Sequence, residues 1–138
     1  MALRIEVVTP RGTALAAEAE EAVLPGVLGE MGVLPGHLPL LAGLRPGVLR
    51  LRAPDGPRAV AVGTGFVEVG AGDKVLVLVE TCAQPGDVDV DGARRDLEAA
   101  DQQLRSWADE TGAEFDRLVF DRAWAEARLK IAETAHGG

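Results

Sequence analysis

The pattern of this chain changes once, near residue 86, and that change commits it to two unlike parts. Up to about residue 85 apolar residues alternate with polar ones in short runs. "LRIEV" (3 to 7) puts Leu3, Ile5 and Val7 on one face and Arg4 and Glu6 on the other, the period of a half-buried strand. "VLRLRA" (48 to 53) and "RAVAVG" (58 to 63) flank "PDG" (54 to 56), which is turn chemistry, and together they predict a β-hairpin. "FVEV", "GAGD" and "KVLVLVE" (66 to 80) predict a second strand, turn and strand. Short strands at this spacing point to a sandwich or barrel. After "QPGD" (84 to 87) glycine and proline nearly vanish. Ala93, Leu97, Ala100, Leu104 and Trp107 then fall on one helical stripe, with Asp89 or Asp91 placed to cap its start. Thr111 and Gly112 interrupt the run, and Phe120, Ala123, Trp124, Ala127 and Ile131 form a second stripe. The expected fold is β plus α: an N-terminal β-sandwich, residues 1–86, followed by a C-terminal antiparallel two-helix hairpin, residues 87–138.

The stretch 24 to 49, "LPGVLGEMGVLPGHLPLLAGLRPGVL", is the oddity. It carries six glycines and four prolines among eleven leucines and valines. Turn-rich segments normally meet water and are polar. This one is expected either to be packed or to be held ready for a partner.

Charge and composition exclude several classes. Residues 1–85 carry 9 acids and 7 bases, net -2, and residues 86–138 carry 13 and 7, net -6, which sum to the overall -8. Such a balance argues against general nucleic-acid binding. The longest apolar runs, such as "VLVLV" (75 to 79), fall far short of the roughly 20 residues that span a bilayer. Glu6 interrupts any signal-peptide stretch, and a lone Cys82 agrees with a reducing compartment, so a soluble cytoplasmic protein is expected.

Catalytic chemistry is hard to find. The histidines are His37 and His136, the latter in an "AHGG" tail expected to fray. Cys82 has no second cysteine or nearby histidine, and no metal-ligand spacing is present. The glycines at 26, 29 and 32 do not form a dinucleotide loop, no phosphate loop exists, and "GTGF" (63 to 66) is a bend between strands. No catalytic residues are assigned. The two tryptophans are most simply core contacts. His37 is open to two readings, a satisfied loop histidine or a partner contact.

"LPGVLGEMGVLPGHLPLLAGLRPGVLRL" and "VGTGFVEVGAGDKVLVLVET" closely resemble the epsilon subunits of bacterial F-type ATP synthases, with "GEMGVLPGH" (29 to 37) the most specific piece. The resemblance implies a non-catalytic rotor part. It would couple the gamma subunit and the c-ring, so that proton flow drives ATP synthesis, at the cytoplasmic face of the bacterial membrane and attached only through the complex. Carried over by position, Glu30 faces the polar loops of the c-ring, and His37 with its neighbours faces gamma. Met31 and Leu41 belong to the same contact set. The family's hairpin can lie folded or extend into the alpha/beta catalytic head and block ATP hydrolysis, where Arg122, Arg128 and Lys130 would meet acidic subunits. No cofactor is required. Some relatives bind ATP as a regulatory ligand through a motif resembling "[IL]DxxRA". "VDVDGA" and "VDGARR" fit it poorly, leaving Asp91 and Arg94 as the nucleotide candidates. A competing class is a free-standing β-sandwich binding module that dimerises through its helices. A small hydrolase using Asp and Glu pairs would need a concave site with raised carboxylate pKa values, which nothing in the spacing suggests.

Overall fold

The computed structural model describes residues 2–108 and 110–136. Ten strands form one sheet that folds over itself into two layers: β1 (Leu3–Thr9), β2 (Gly12–Ala19), β3 (Glu21–Gly26), β4 (Gly29–Val33), β5 (Leu40–Leu44), β6 (Gly47–Ala53), β7 (Gly56–Val62), β8 (Gly65–Val69), β9 (Lys74–Val79) and β10 (Cys82–Ala83). The strand order is β10-β7-β6-β3-β5-β8-β9-β1-β2, with β4 on β3. β3 makes the corner, pairing with β6 through Glu21, Ala22 and Val23 and with β5 at Gly26. One layer is therefore β10-β7-β6-β3-β4 and the other is β5-β8-β9-β1-β2.

The predicted alternation places the core. Leu3, Ile5 and Val7 are buried while Arg4 and Glu6 are exposed, and Val75, Val77 and Val79 repeat the pattern on β9. Both predicted hairpins form, β6–β7 around Pro54 and Asp55 and β8–β9 around residues 70–73. The buried cluster runs from Leu3 to Val79 and is entirely aliphatic. Each fully buried leucine or valine contributes about 1.5–3 kcal/mol of transfer free energy. The stretch that looked like turns is mostly strand: β4 and β5 lie within it, together with the end of β3 and the start of β6.

A 3-10 turn, Pro85–Asp87, leads to α1 (Val90–Arg105) and α2 (Ala113–His136). Asp89 is the cap: its carboxylate accepts the Gly92 N–H at 3.1 Å. One expectation fails here. α1 ends at Ser106, so Trp107 lies beyond the helix and is 36% exposed rather than a core contact. α2 is helical to His136, and the rest of the "AHGG" tail lies outside the described residues.

α2 also carries two apolar faces. Ala127 and Ile131, with Trp124, pack on Val48 and Ala61 of the β6–β7 outer surface. Leu118, Ala125 and Ala132, seven apart, are buried about a third of a turn away, where α1 lies against α2. The single predicted stripe captured the first face and missed the second.

Candidate functional site

The hairpin covers the outer surface of the β6–β7 layer, which leaves the other layer with an uncovered outer face. Its register shows what that face presents. Gly43 of β5 lies opposite Phe66, Phe66 opposite Leu78, and Leu78 opposite Val8. One step along the strands, Leu41 lies opposite Glu68, Glu68 opposite Leu76, and Leu76 opposite Glu6. The last row pairs Lys74 with Arg4. The result is an outward face on which Leu41, Phe66, Leu76 and Leu78 surround Glu68, with Glu6, Lys74 and Arg4 at its far side, the mixture of apolar and charged side chains found in protein-binding patches.

Apolar turns extend this face. Val27 and Leu28 form the β3–β4 turn, with the Val27 N–H donating to the Gly43 carbonyl at 3.0 Å. Leu28 is fully exposed. Leu34 and Leu38 project from the loop that enters β5. Seven of the nine large exposed hydrophobics among the described residues thus belong to the sandwich, the other two being Trp107 and Val119. Large aliphatic side chains left in water cost free energy unless a partner covers them.

The residues expected at this surface take different positions. Leu41 is 69% exposed on β5, the first strand of this layer. His37 is exposed in the entering loop, and its Nδ1 lies 2.7 Å from the Leu38 carbonyl oxygen, so that nitrogen carries the proton. His37 is therefore satisfied by its own loop and accessible as well. Glu30 is exposed on β4 and accepts from the Arg50 guanidinium at 3.1 Å, a solvated pair worth little by itself. Met31 differs: it is half-buried and packs against the sandwich core rather than standing out from it. Phe66 and Leu78 were missed as surface residues. The signal was present, since both occupy the strand phase otherwise taken by Glu68, Lys74 and Glu80.

The three hairpin cations are paired with acids of the hairpin itself, Arg128 half-buried and Arg122 and Lys130 exposed. Arg122 donates to Asp101 on α1 and, at 2.8 Å, to Glu126; the Asp101 bond, with lesser help from Glu126, raises its already high pKa. Arg128 donates to Asp96 on α1 at 2.9 Å and lies over the Trp124 ring, 5.4 Å from its centroid. Lys130 sits 3.3 Å from Glu126. Asp91 and Arg94 occupy successive turns of α1, both exposed, and pair with each other at 3.7 Å.

Among the described residues no cluster of His, Cys, Asp and Glu could hold a metal ion, and no helix is long and apolar enough to cross a membrane. Burial, and then the charge of Asp87, push the Cys82 thiol up, the wrong direction for a nucleophile.

Comparisons with known proteins agree on one relationship. Residues 2–85 match the family of the ATP synthase Delta/Epsilon chain β-sandwich domain. The chain is 38% identical to the ATP synthase epsilon chain of Myxococcus xanthus over 134 residues, covering 96% of each. It is 41% identical to that of Synechococcus elongatus over 133 residues, again covering 96% of each. Among solved structures it superposes on a chain of the Euglena gracilis mitochondrial ATP synthase with a TM-score of 0.69 at 21% identity, covering 99% of this chain and 80% of that one. A chain of the Tetrahymena thermophila mitochondrial ATP synthase central stalk and c-ring gives 0.57 at 14%, covering 98% and 96%.

Proposed function

The chain belongs to the ATP synthase epsilon chain family, and from that premise we propose that it is a central-stalk subunit that joins gamma to the c-ring and performs no chemistry itself. The observation that carries this reading is the uncovered apolar face of the β5-β8-β9-β1 layer, continuous with the apolar turns at Val27, Leu28, Leu34 and Leu38. Gamma covers the face around Leu41, Phe66 and Leu78. The c-ring's polar loops meet the β3–β4 end, where Glu30 exchanges its solvated partner Arg50 for theirs. Rotation is transmitted because the face is built on paired strands rather than on loose loops. The subunit works at the cytoplasmic face of the bacterial membrane and is held there by the complex.

The hairpin is the regulatory part in this proposal. Folded, it pairs Arg122 and Arg128 with Asp101 and Asp96 of α1; extended, it offers them to the acidic surfaces of the catalytic head.

Purification of the full-length chain from membranes in mild detergent tests the assignment. Gamma and c-subunits should accompany it, and the chain alone should run as a monomer. A stable homodimer that recovers neither subunit would overturn this reading in favour of a free-standing binding module.

A further inference from the structure

The loop from Leu34 to Pro39 presents two exposed leucines and His37, yet few hydrogen bonds tie it to the rest of the sandwich. Pro35 and Pro39 have no N–H to donate, and Gly36 adopts φ +84°. Two bonds are internal to it: the His37 N–H donates to the Leu34 carbonyl at 3.1 Å, and the His37 ring to the Leu38 carbonyl. One bond reaches outside. The Gly36 N–H donates to Oδ1 of Asp73, 2.7 Å away, across 37 positions of sequence.

Asp73 is itself firmly placed. It ends the turn between β8 and β9, and its carbonyl accepts the Arg4 N–H at 2.9 Å, which fixes it to β1. Its φ is +62°, the one positive value at a non-glycine among the described residues. Glycine adopts that conformation at lower cost, and the preceding residue, Gly72, does so at +75°. A carboxylate kept where the backbone favours glycine is explained by what its side chain holds, and that is the Gly36 amide. A charged acceptor makes this a stronger bond than a neutral one.

We infer that Asp73 is a positioning residue for gamma binding: it pins the Leu34–Pro39 loop to the end of the uncovered sheet face, so that Leu34, His37 and Leu38 are ordered before the partner arrives. This rests on the docking reading above. Preordering a loop raises affinity by removing the cost of fixing it during association. Asp73 need not touch gamma to do so.

Two substitutions separate pinning from a purely structural role. Asp73→Gly suits the backbone and deletes the acceptor, whereas Asp73→Asn keeps both an oxygen acceptor and tolerance of positive φ. In the free full-length chain, amide exchange at Gly36 should quicken roughly tenfold in Asp73→Gly and little in Asp73→Asn, with the thermal midpoint near that of the parent. Affinity for isolated gamma should fall about tenfold in the glycine variant and be rescued in the asparagine variant. Unchanged Gly36 exchange in Asp73→Gly overturns the pin. So does faster exchange with gamma affinity intact, or an asparagine variant that binds as poorly as the glycine one. If the parent chain itself does not bind gamma, the docking reading fails instead, while the exchange measurement still decides whether Asp73 orders the loop.

Discussion

At Gly65 a methyl group would lie 1.8 Å from the Leu78 carbonyl oxygen and 2.8 Å from the Val79 Cα, backbone atoms that cannot step aside. Gly65→Ala should therefore destabilise the sandwich by about 1–3 kcal/mol, read as a lower urea midpoint, with the hairpin still helical. Leu41→Asp makes the opposite case. Leu41 is exposed, so the change should cost only about 1 kcal/mol, from aspartate's poor strand propensity and its place opposite Glu68, while weakening gamma binding roughly tenfold or more. Titration calorimetry separates the two, and full affinity in the folded variant would remove Leu41 from the interface. Alternation alone identified Leu3, Ile5 and Val7 as core, because a sheet face has a strict period of two. It did not reveal that Met31 turns inward or that Asp73 reaches Gly36, since contacts across 37 positions leave no periodic trace.

The helices were legible as elements and less so in their ends and faces. Spacing carried the stripe of α1 on to Trp107, but Ser106 ends the helix, and spacing cannot register a cap. α2 is apolar on two sides because it lies between the sheet and α1, so a single stripe understates it. The partners of its arginines were illegible for the same reason: Asp96 and Asp101 lie on the other helix. Those pairs now define the sharper test of a brake. Replacing Arg122, Arg128 and Lys130 would loosen the folded hairpin and blunt the extended one together. Asp96→Asn with Asp101→Asn loosens only the folded form and leaves every cation in place. The pairs are partly solvated, so the loss should be on the order of 1 kcal/mol in total. If the extended hairpin inhibits, the assembled complex carrying both changes should hydrolyse ATP more slowly than its parent, and the difference should shrink as salt is added. A rate equal to or above that of the parent would rule out inhibition through these cations.

Over the whole molecule the two parts depend on each other unequally. The main core, from Leu3 to Val79, owes nothing to the helices, whereas α2 rests on Val48 and Ala61. Truncation after Asp87 should leave a folded sandwich that still binds gamma. It should also bare the β6–β7 surface, seen as increased binding of a hydrophobic dye, and an unfolded fragment would show the core to be less autonomous than its contacts indicate. The change of pattern near residue 86 made this two-part plan readable, but the order of the strands was not. β1 lies between β2 and β9, parallel to β9, with Arg4 beside Lys74, 70 positions later (74 − 4). β1 is made before β9 and thus has one of its edges open until β9 follows. A β1–β2 hairpin is at best marginal alone, so the nascent chain carries that open edge until β9 emerges. The sandwich cannot close before β9 is made, and crowding by copies on neighbouring ribosomes is the circumstance in which that open edge is most exposed to mispairing.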